Sequence, residues 1–363
     1  MAGSYPSTLS VYSLAYTPSA PAVTPTQIGG TVSGTNISGV AVDVSNNVYY
    51  LAAENTAPFS AATLWTCPAP ASPGSYVCSN QNSNGSLSSG QLLAVDALGN
   101  GYATYSSPTS SDTAIGAVVK FALATGLQSY SVVYTTETLT TQVNVNFYGL
   151  AVSPDGTMLY VAYGTTNGFY GTGVHVHQCA SPSVNPCTGS ASNDVTASLI
   201  AAASPAFTAL SGALAFGGPN ASLYVGGANE FGESTPPSNT IPVVLVCSSV
   251  TVATSSCQVG SHAYAEVSAL STFAQASAVA ADPSGNAYAG VTLVDWGSTL
   301  PAPLLNFLAY EPPITGGSML TPYTCGGSTC AIDMLPAPQV LTSPPGSTSF
   351  PPPYSMAITP GPP

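Results

Sequence analysis

The chain has 363 residues and a single basic side chain, Lys120, against 14 carboxylates, giving a formal net charge of -13. That balance excludes a nucleic-acid partner, which needs several phosphates neutralised by Lys and Arg, and it excludes electrostatic docking on anionic lipid. Hydrophobic residues make up 45% of the chain but are interspersed with Ser, Thr, Gly and Pro, and no apolar run approaches the roughly 18 residues of a membrane helix, so no membrane span is expected.

The same composition bears on surroundings. The carboxylates titrate near pH 4, at about their reference values, leaving the chain almost neutral in strong acid, where an ordinary protein repels itself through its Lys and Arg. This fits an acidic environment. It fits equally a neutral surface that resists trypsin, is glycosylated, or packs against its own copies.

In chain order, Met1 to Ala20 has neither a basic region nor an apolar core and does not read as a signal peptide. Leu9 to Tyr16 and Gln27 to Val32 read as strands, separated by the Pro-rich stretch Pro21 to Pro25. From there one motif recurs. Val40-Ala41-Val42-Asp43 leads through a turn to Asn47-Val48-Tyr49-Tyr50, and Leu93-Ala94-Val95-Asp96 leads to Gly99-Asn100-Gly101-Tyr102. Leu150-Ala151-Val152-Ser153-Pro154-Asp155-Gly156 leads to Leu159-Tyr160-Val161, and Leu214-Ala215-Phe216 to Leu223-Tyr224-Val225. Val279-Ala280-Ala281-Asp282-Pro283 leads through Gly285-Asn286 to Ala287-Tyr288, and a half copy, Ser355-Met356-Ala357-Ile358, follows the Pro-rich segment 344–354.

Each copy reads as a buried strand, an Asp/Pro/Asn/Gly turn and a second strand carrying Tyr. Third strands are expected at Ala62 to Cys67, Gly116 to Phe121, Gly173 to Gln178, Ile241 to Cys247 and Leu304 to Tyr310, each followed by a weaker fourth. Short strands with 33 scattered prolines and almost no helical periodicity predict an all-β six-bladed propeller with four-stranded blades. The inner strands lie near 40–43, 92–95, 149–152, 213–216, 278–281 and 355–358 of a single domain covering 1–363, with the small mid-strand Ala allowing close approach at the axis. Residues 1–36 complete the last blade, so that the two ends close the ring and remove exposed sheet edges.

The eight cysteines fall in four close pairs, Cys67–Cys78, Cys179–Cys187, Cys247–Cys257 and Cys325–Cys330, each enclosing a short polar segment. This spacing predicts disulfides that staple outer hairpins, and an oxidising compartment; it is not the spacing of a zinc quartet. Asn36, Asn84 and Asn220 match the N-glycosylation pattern.

The Ala-Val-Asp, Pro-Asp-Gly and Gly-Asn-x-Tyr pattern resembles that of NHL-type and gluconolactonase-like six-bladed propellers, over nearly the whole chain. The gluconolactonase resemblance implies a divalent metal in the central channel, held by Glu, Asn and Asp near the inner strands. The residues entering those strands, among them Ser38-Gly39, Gly90-Gln91, Tyr148-Gly149 and Ser211-Gly212, include no carboxylate. Asp43, Asp96 and Asp282 follow the inner strands instead, where turn capping accounts for them. His175 and His177 alternate on one strand face, but with no acid close by in sequence they read as surface residues; His262 stands alone. No nucleophile elbow or catalytic Cys/His arrangement is present. Accordingly no metal site, cofactor or catalytic residue is expected.

The candidate ligand or partner face lies in the loops between second and third strands: Glu54, Phe59, Asp112, Phe169, Tyr170, Glu230, Phe231, Glu233, Asp295 and Trp296. Aromatic rings beside carboxylates suit sugar stacking or a protein partner. The leading expectation is a non-enzymatic extracellular or cell- or virion-surface protein, a self-associating coat, sheath or filament subunit. A secreted glycan- or protein-binding propeller is the alternative, and a propeller lactonase or lyase a further one.

Overall fold

The computed structural model describes residues 12–17, 20–27, 36–53, 61–70, 76–88, 92–110, 113–136, 145–164, 174–204, 209–218, 221–230, 240–247, 257–261, 272–281, 287–295, 306–310 and 357. Strands β1 (Tyr12–Thr17) and β2 (Ala20–Gln27) pair as an antiparallel hairpin. The second of these lies earlier than the expected Gln27 to Val32, running through Pro21 and Pro25. A two-stranded pair has free edges, and there a proline's missing N–H breaks no ladder bond.

Five further sheets follow, each a meander starting at a copy of the repeat. The first holds β3 (Asn36–Val42), β4 (Val48–Ala53), β5 (Ala61–Cys67) and β6 (Ser79–Ser88). The second holds β7 (Leu93–Val95), β8 (Asn100–Ser110), β9 (Thr113–Ala122) and β10 (Tyr130–Thr135). Among the described residues the third holds three strands, β11 (Asn146–Val152), β12 (Met158–Gly164) and β13 (Val174–Ala180). Then come β14 (Cys187–Thr188), helix α1 (Thr196–Ala202) and β15 (Ala203–Ser204). The fourth sheet holds β16 (Ala209–Gly217), β17 (Ser222–Glu230), β18 (Thr240–Cys247) and β19 (Cys257–Ser261). The fifth holds β20 (Thr272–Ala281), β21 (Ala287–Asp295) and β22 (Asn306–Tyr310).

First strands succeed one another, β3 beside β7, β7 beside β11, β11 beside β16 and β16 beside β20. This is the arrangement of a β-propeller, with sheets standing face to face around a line of inner strands. Side chains from facing sheets fill the spaces between them. Leu51, Leu64, Val119 and Phe121 pack between the first two sheets; Val133, Tyr134, Leu159 and Val161 between the second and third; Tyr160, Val176, Leu223 and Leu245 between the third and fourth. A sheet covered on both faces needs apolar residues at every position, and β12 is buried along its whole length.

The close approach at the axis is made by glycine rather than by the mid-strand Ala. A Cβ on Gly39 of β3 would lie 2.6 Å from the Leu93 amide nitrogen of β7. One on Gly149 of β11 would overlap the Gly212 carbonyl oxygen of β16. Inner strands therefore meet backbone to backbone.

Two disulfides staple outer hairpins as expected: Cys67–Cys78 leads from β5 into β6, and Cys247–Cys257 joins directly paired residues of β18 and β19. The third differs. Cys187 does not begin a fourth strand of its own sheet; it opens β14, which pairs in parallel with β10 of the preceding sheet, Tyr134 opposite Cys187. Cys179–Cys187 is thus a link between sheets. Farther on, β15 pairs in parallel with β19 of the following sheet. A strap from 181 to 204 replaces the missing fourth strand of the third sheet and grips both neighbours. The fourth pair, Cys325–Cys330, lies outside the described residues.

Replacing Gly39 with Ala should lower stability by about 1–3 kcal/mol, the usual range for overpacking against an unyielding neighbour. Gly99→Ala, at a φ of +84° with open space around it, should lose only about 1 kcal/mol, through backbone strain. Urea denaturation midpoints of the two variants test the ordering, and equal losses would remove the close-approach argument.

Candidate functional site

Strand ends bound the connections in which the ligand-face residues were expected. The hairpin connections from second to third strands leave β4 at Ala53, β8 at Ser110, β12 at Gly164, β17 at Glu230 and β21 at Asp295. Glu230 and Asp295 are the last residues of their strands. Glu54, Phe59, Asp112, Phe169, Tyr170, Phe231, Glu233 and Trp296 fall in the connections and lie outside the described residues, as does Asn220. The stapled hairpins open at the other end, since Cys67 pairs with Val48, the first residue of β4, and Cys247 with Leu223, the second residue of β17.

Among the described residues, the most developed polar cluster lies on the outer edge between the second and third sheets, with His175 the second residue of β13 after the connection that follows Gly164. His175 and His177 point to one face of β13, as their alternation predicts. The acid that sequence proximity did not supply comes from the strap. Val195 N–H donates to the Val176 carbonyl at 2.8 Å and Gln178 N–H to the Asn193 carbonyl at 2.9 Å, which places Asp194 opposite His177. Its Oδ2 is 2.8 Å from His175 Nδ1 and 4.0 Å from His177 Nε2. Its Oδ1 accepts the Thr196 N–H at 2.9 Å, capping α1. Burial pushes the Asp194 carboxyl up, but the Thr196 hydroxyl and amide and His175 outweigh it, so the group titrates below the ordinary carboxylate value.

His177 is not a surface residue. Its side chain is 2% exposed, and its Nδ1 shares a 3.0 Å hydrogen bond with the hydroxyl of the fully buried Tyr134 from β10. The Tyr163 ring meets it edge-on, with centroids 5.0 Å apart. Among the described residues, His175, His177 and Asp194 form the one group of three metal-ligating side chains, with donor atoms all within 4.8 Å of one another. The sequence carried part of this signal. Asp194-Val195-Thr196 ahead of Ala197, Leu199 and Ala201 is a helix-start pattern, and it marks Asp194 as ordered.

The turn aspartates do not fit the channel metal that the gluconolactonase resemblance implies, because their oxygens are already used. Asp43 Oδ1 accepts the Ser45 and Asn47 amides, and Oδ2 accepts Asn47 Nδ2 and the Tyr49 hydroxyl. Asp96 repeats this with Leu98, Asn100 and Tyr102. Burial, with Asp43 close by, pushes the Tyr49 phenol up to about 12. Asp282, Asn286 and Tyr288 keep the same spacing. In the third copy Asp155 accepts the Ser153 and Thr157 hydroxyls and the Thr157 amide. At the inner strands, Gly39, Gly149 and Gly212 offer no donor side chain.

No family model matches the sequence, and no curated protein matches it. Solved structures that align with the fold include an α-L-arabinofuranosidase from Fusarium graminearum in complex with an iminosugar inhibitor, at 7% identity and a TM-score of 0.42 over 75% of this chain and 76% of that one. Others are an α-L-arabinanase of Penicillium chrysogenum complexed with arabinobiose (9%, 0.41, 77% and 78%) and a glucose dehydrogenase (11%, 0.40, 79% and 96%). The likeness is one of propeller architecture.

The three named neighbours are enzymes, where a non-enzymatic coat, sheath or filament subunit was expected, and that expectation is not kept. The described carboxylates Asp43, Asp96, Asp155 and Asp194 are spent on local hydrogen bonds, and Lys120 Nζ donates to Ser183 Oγ at 2.8 Å while lying 5.6 Å from the centre of the Tyr102 ring.

Asp155 sets a pH dependence. Burial pushes its carboxyl up, but the Ser153 and Thr157 hydrogen bonds more than reverse this and hold it below the ordinary carboxylate value. A lowered folded value means that its contribution is present above the unfolded value and lost as pH falls through the folded one. Stability followed by urea midpoint from about pH 7 to about pH 2 should hold down to about pH 4, the unfolded value, and fall only below it. The gap between the wild type and Asp155→Asn should close over that same acid range; a gap independent of pH would remove this role.

Proposed function

We propose that this chain is an extracellular six-bladed propeller enzyme that takes a neutral carbohydrate on the rim formed by the connections from second to third strands. The observation that carries the substrate class is the commitment of the chain's one cation. Lys120 in β9 faces Ser183 and the Tyr102 ring, beside the turn of the second sheet and away from that rim. With no Arg in the sequence, no other Lys or Arg is left to pair with a carboxylate, sulfate or phosphate on a substrate. An uncharged glycan needs no such partner; it needs aromatic faces and hydrogen bonds.

The rim connections supply both. Phe59, Phe169, Tyr170, Phe231 and Trp296 are their aromatic residues, and Glu54, Asp112, Glu230, Glu233 and Asp295 their carboxylates. Glycosidic hydrolysis takes two such carboxylates, one as acid and one as base or nucleophile. Disulfides support an oxidising, extracellular setting. Six blades are supported by five meanders in succession, the β1–β2 hairpin, and the repeat copy at Ala357. Ring closure is supported by the first sheet, where Val48 and Tyr50 are buried on the face away from the second sheet.

Affinity electrophoresis and reducing-end release against neutral polysaccharides, with polyuronates as the anionic comparison, test this reading. Neutral glycans should retard and be cleaved. Trp296→Ala should weaken retardation about tenfold through loss of a stacking ring, and Glu230→Gln should lower turnover about 100-fold or more with binding retained. Retention confined to polyuronates, or no cleavage of any neutral glycan, would refute it.

A further inference from the structure

We propose that His175 Nδ1, His177 Nε2 and Asp194 Oδ2 bind a divalent transition-metal ion of the zinc class, leaving at least one coordination position open to solvent. His175, the second residue of β13, lies next to the connection that follows Gly164, but the donors come from β13 and the strap and the inference does not depend on the carbohydrate reading.

The donor set comes first. Two imidazole nitrogens and one carboxylate oxygen suit Zn, Cu, Ni, Co or Fe, whereas Ca and Mg require mostly oxygen ligands. All three donor atoms lie within 4.8 Å of one another, and the closest pair is 2.8 Å apart. An ion at about 2.0 to 2.2 Å from each donor is seated when the half-exposed His175 swings outward from its 2.8 Å contact and Asp194 Oδ2 draws nearer than 4.0 Å to His177 Nε2.

The supporting shell is already arranged. Metal-ligating histidines usually hand their second nitrogen to an outer partner, which fixes ring orientation. Tyr134 does this for His177 from an adjacent sheet, at 3.0 Å in a fully buried position. The capped Oδ1 of Asp194 leaves Oδ2 facing the imidazoles. The backbone bonds between β13 and residues 193–195, together with Cys179–Cys187 two residues beyond His177, hold the carboxylate in register with both histidines. His175 and His177 are also two of only three histidines in the chain, and both face this one acid.

Three protein ligands and a half-exposed edge leave the fourth position to water or to an incoming group. That is the arrangement of a reactive zinc site and not of a closed structural one. The competing account is a hydrogen-bonded His175–Asp194 pair that holds a proton and no metal.

The test uses the full-length, disulfide-intact protein stripped with chelator and titrated at neutral pH with Zn²⁺ against a chromophoric indicator, and with Co²⁺ by visible absorption. One equivalent should bind, with d–d bands in the range of four- or five-coordinate cobalt, and with no displacement by millimolar Ca²⁺ or Mg²⁺. Asp194→Asn and His175→Ala should each weaken binding at least about 100-fold, Tyr134→Phe about tenfold, and His262→Ala should leave it unchanged. Far-UV circular dichroism and thermal melting confirm folding, and the half-exposed His175→Ala remains informative if a buried variant fails to fold. Absence of stoichiometric Zn²⁺ or Co²⁺ binding to the wild type, or binding unchanged in both Asp194→Asn and His175→Ala, would overturn the proposal and favour the proton-sharing pair.

Discussion

Almost every carboxylate in this protein has to be satisfied without a cation. An ionised group taken out of water needs compensation, and where Lys and Arg are absent the remaining donors are backbone amides, hydroxyls, side-chain amides and imidazoles. The repeat is built around that substitution. Asp43 and Asp96 each gather two amides, an Asn side chain and a Tyr hydroxyl, so the Asp, the Asn four residues on and the Tyr six residues on are one hydrogen-bonded object. The turn determines where the second strand begins, and the second strand carries the Tyr that packs between sheets. Asp194 meets the same shortage with an amide, a hydroxyl and a histidine.

That local coding explains why much of the fold could be read from the chain. A turn with its own hydrogen-bond logic recurs visibly, and the strands on either side follow from apolar runs such as Leu150-Ala151-Val152 and Leu159-Tyr160-Val161. The expected third strands at Ala62, Gly116, Gly173, Ile241 and Leu304 correspond to β5, β9, β13, β18 and β22. What was hidden depends on contacts remote in sequence. β14 and β15 are two residues each and pair in parallel with strands of other sheets, so neither has a periodicity to detect. For the same reason Cys179–Cys187 looked like its hairpin counterparts while joining two sheets.

The candidate site divides similarly. The alternation of His175 and His177 was visible, whereas their acid lies beyond a turn and a disulfide loop and reaches them only through the bridge opposite His177. Burial of His177 was invisible because it comes from Tyr134, 43 residues earlier in a different sheet. Glycine's role at the axis was likewise displaced within the motif. Ala151 is buried between sheets, but the strand-to-strand contact falls at Gly149.

The strap changes what kind of repeat protein this is. In a simple array each unit touches only the next, and stability is a sum of nearest-neighbour terms. Here residues that follow the third sheet are hydrogen-bonded to the second through β14 and to the fourth through β15, with the third sheet held between them. The three sheets therefore share one opening event. On a growing chain the outer edge of β10 stays unpaired until Cys187 emerges, and β15 has no partner until Cys257 does. The middle of the propeller thus gains its final order late in synthesis, once the chain has been made through Ser261, and it does so as a unit of three sheets rather than one sheet at a time.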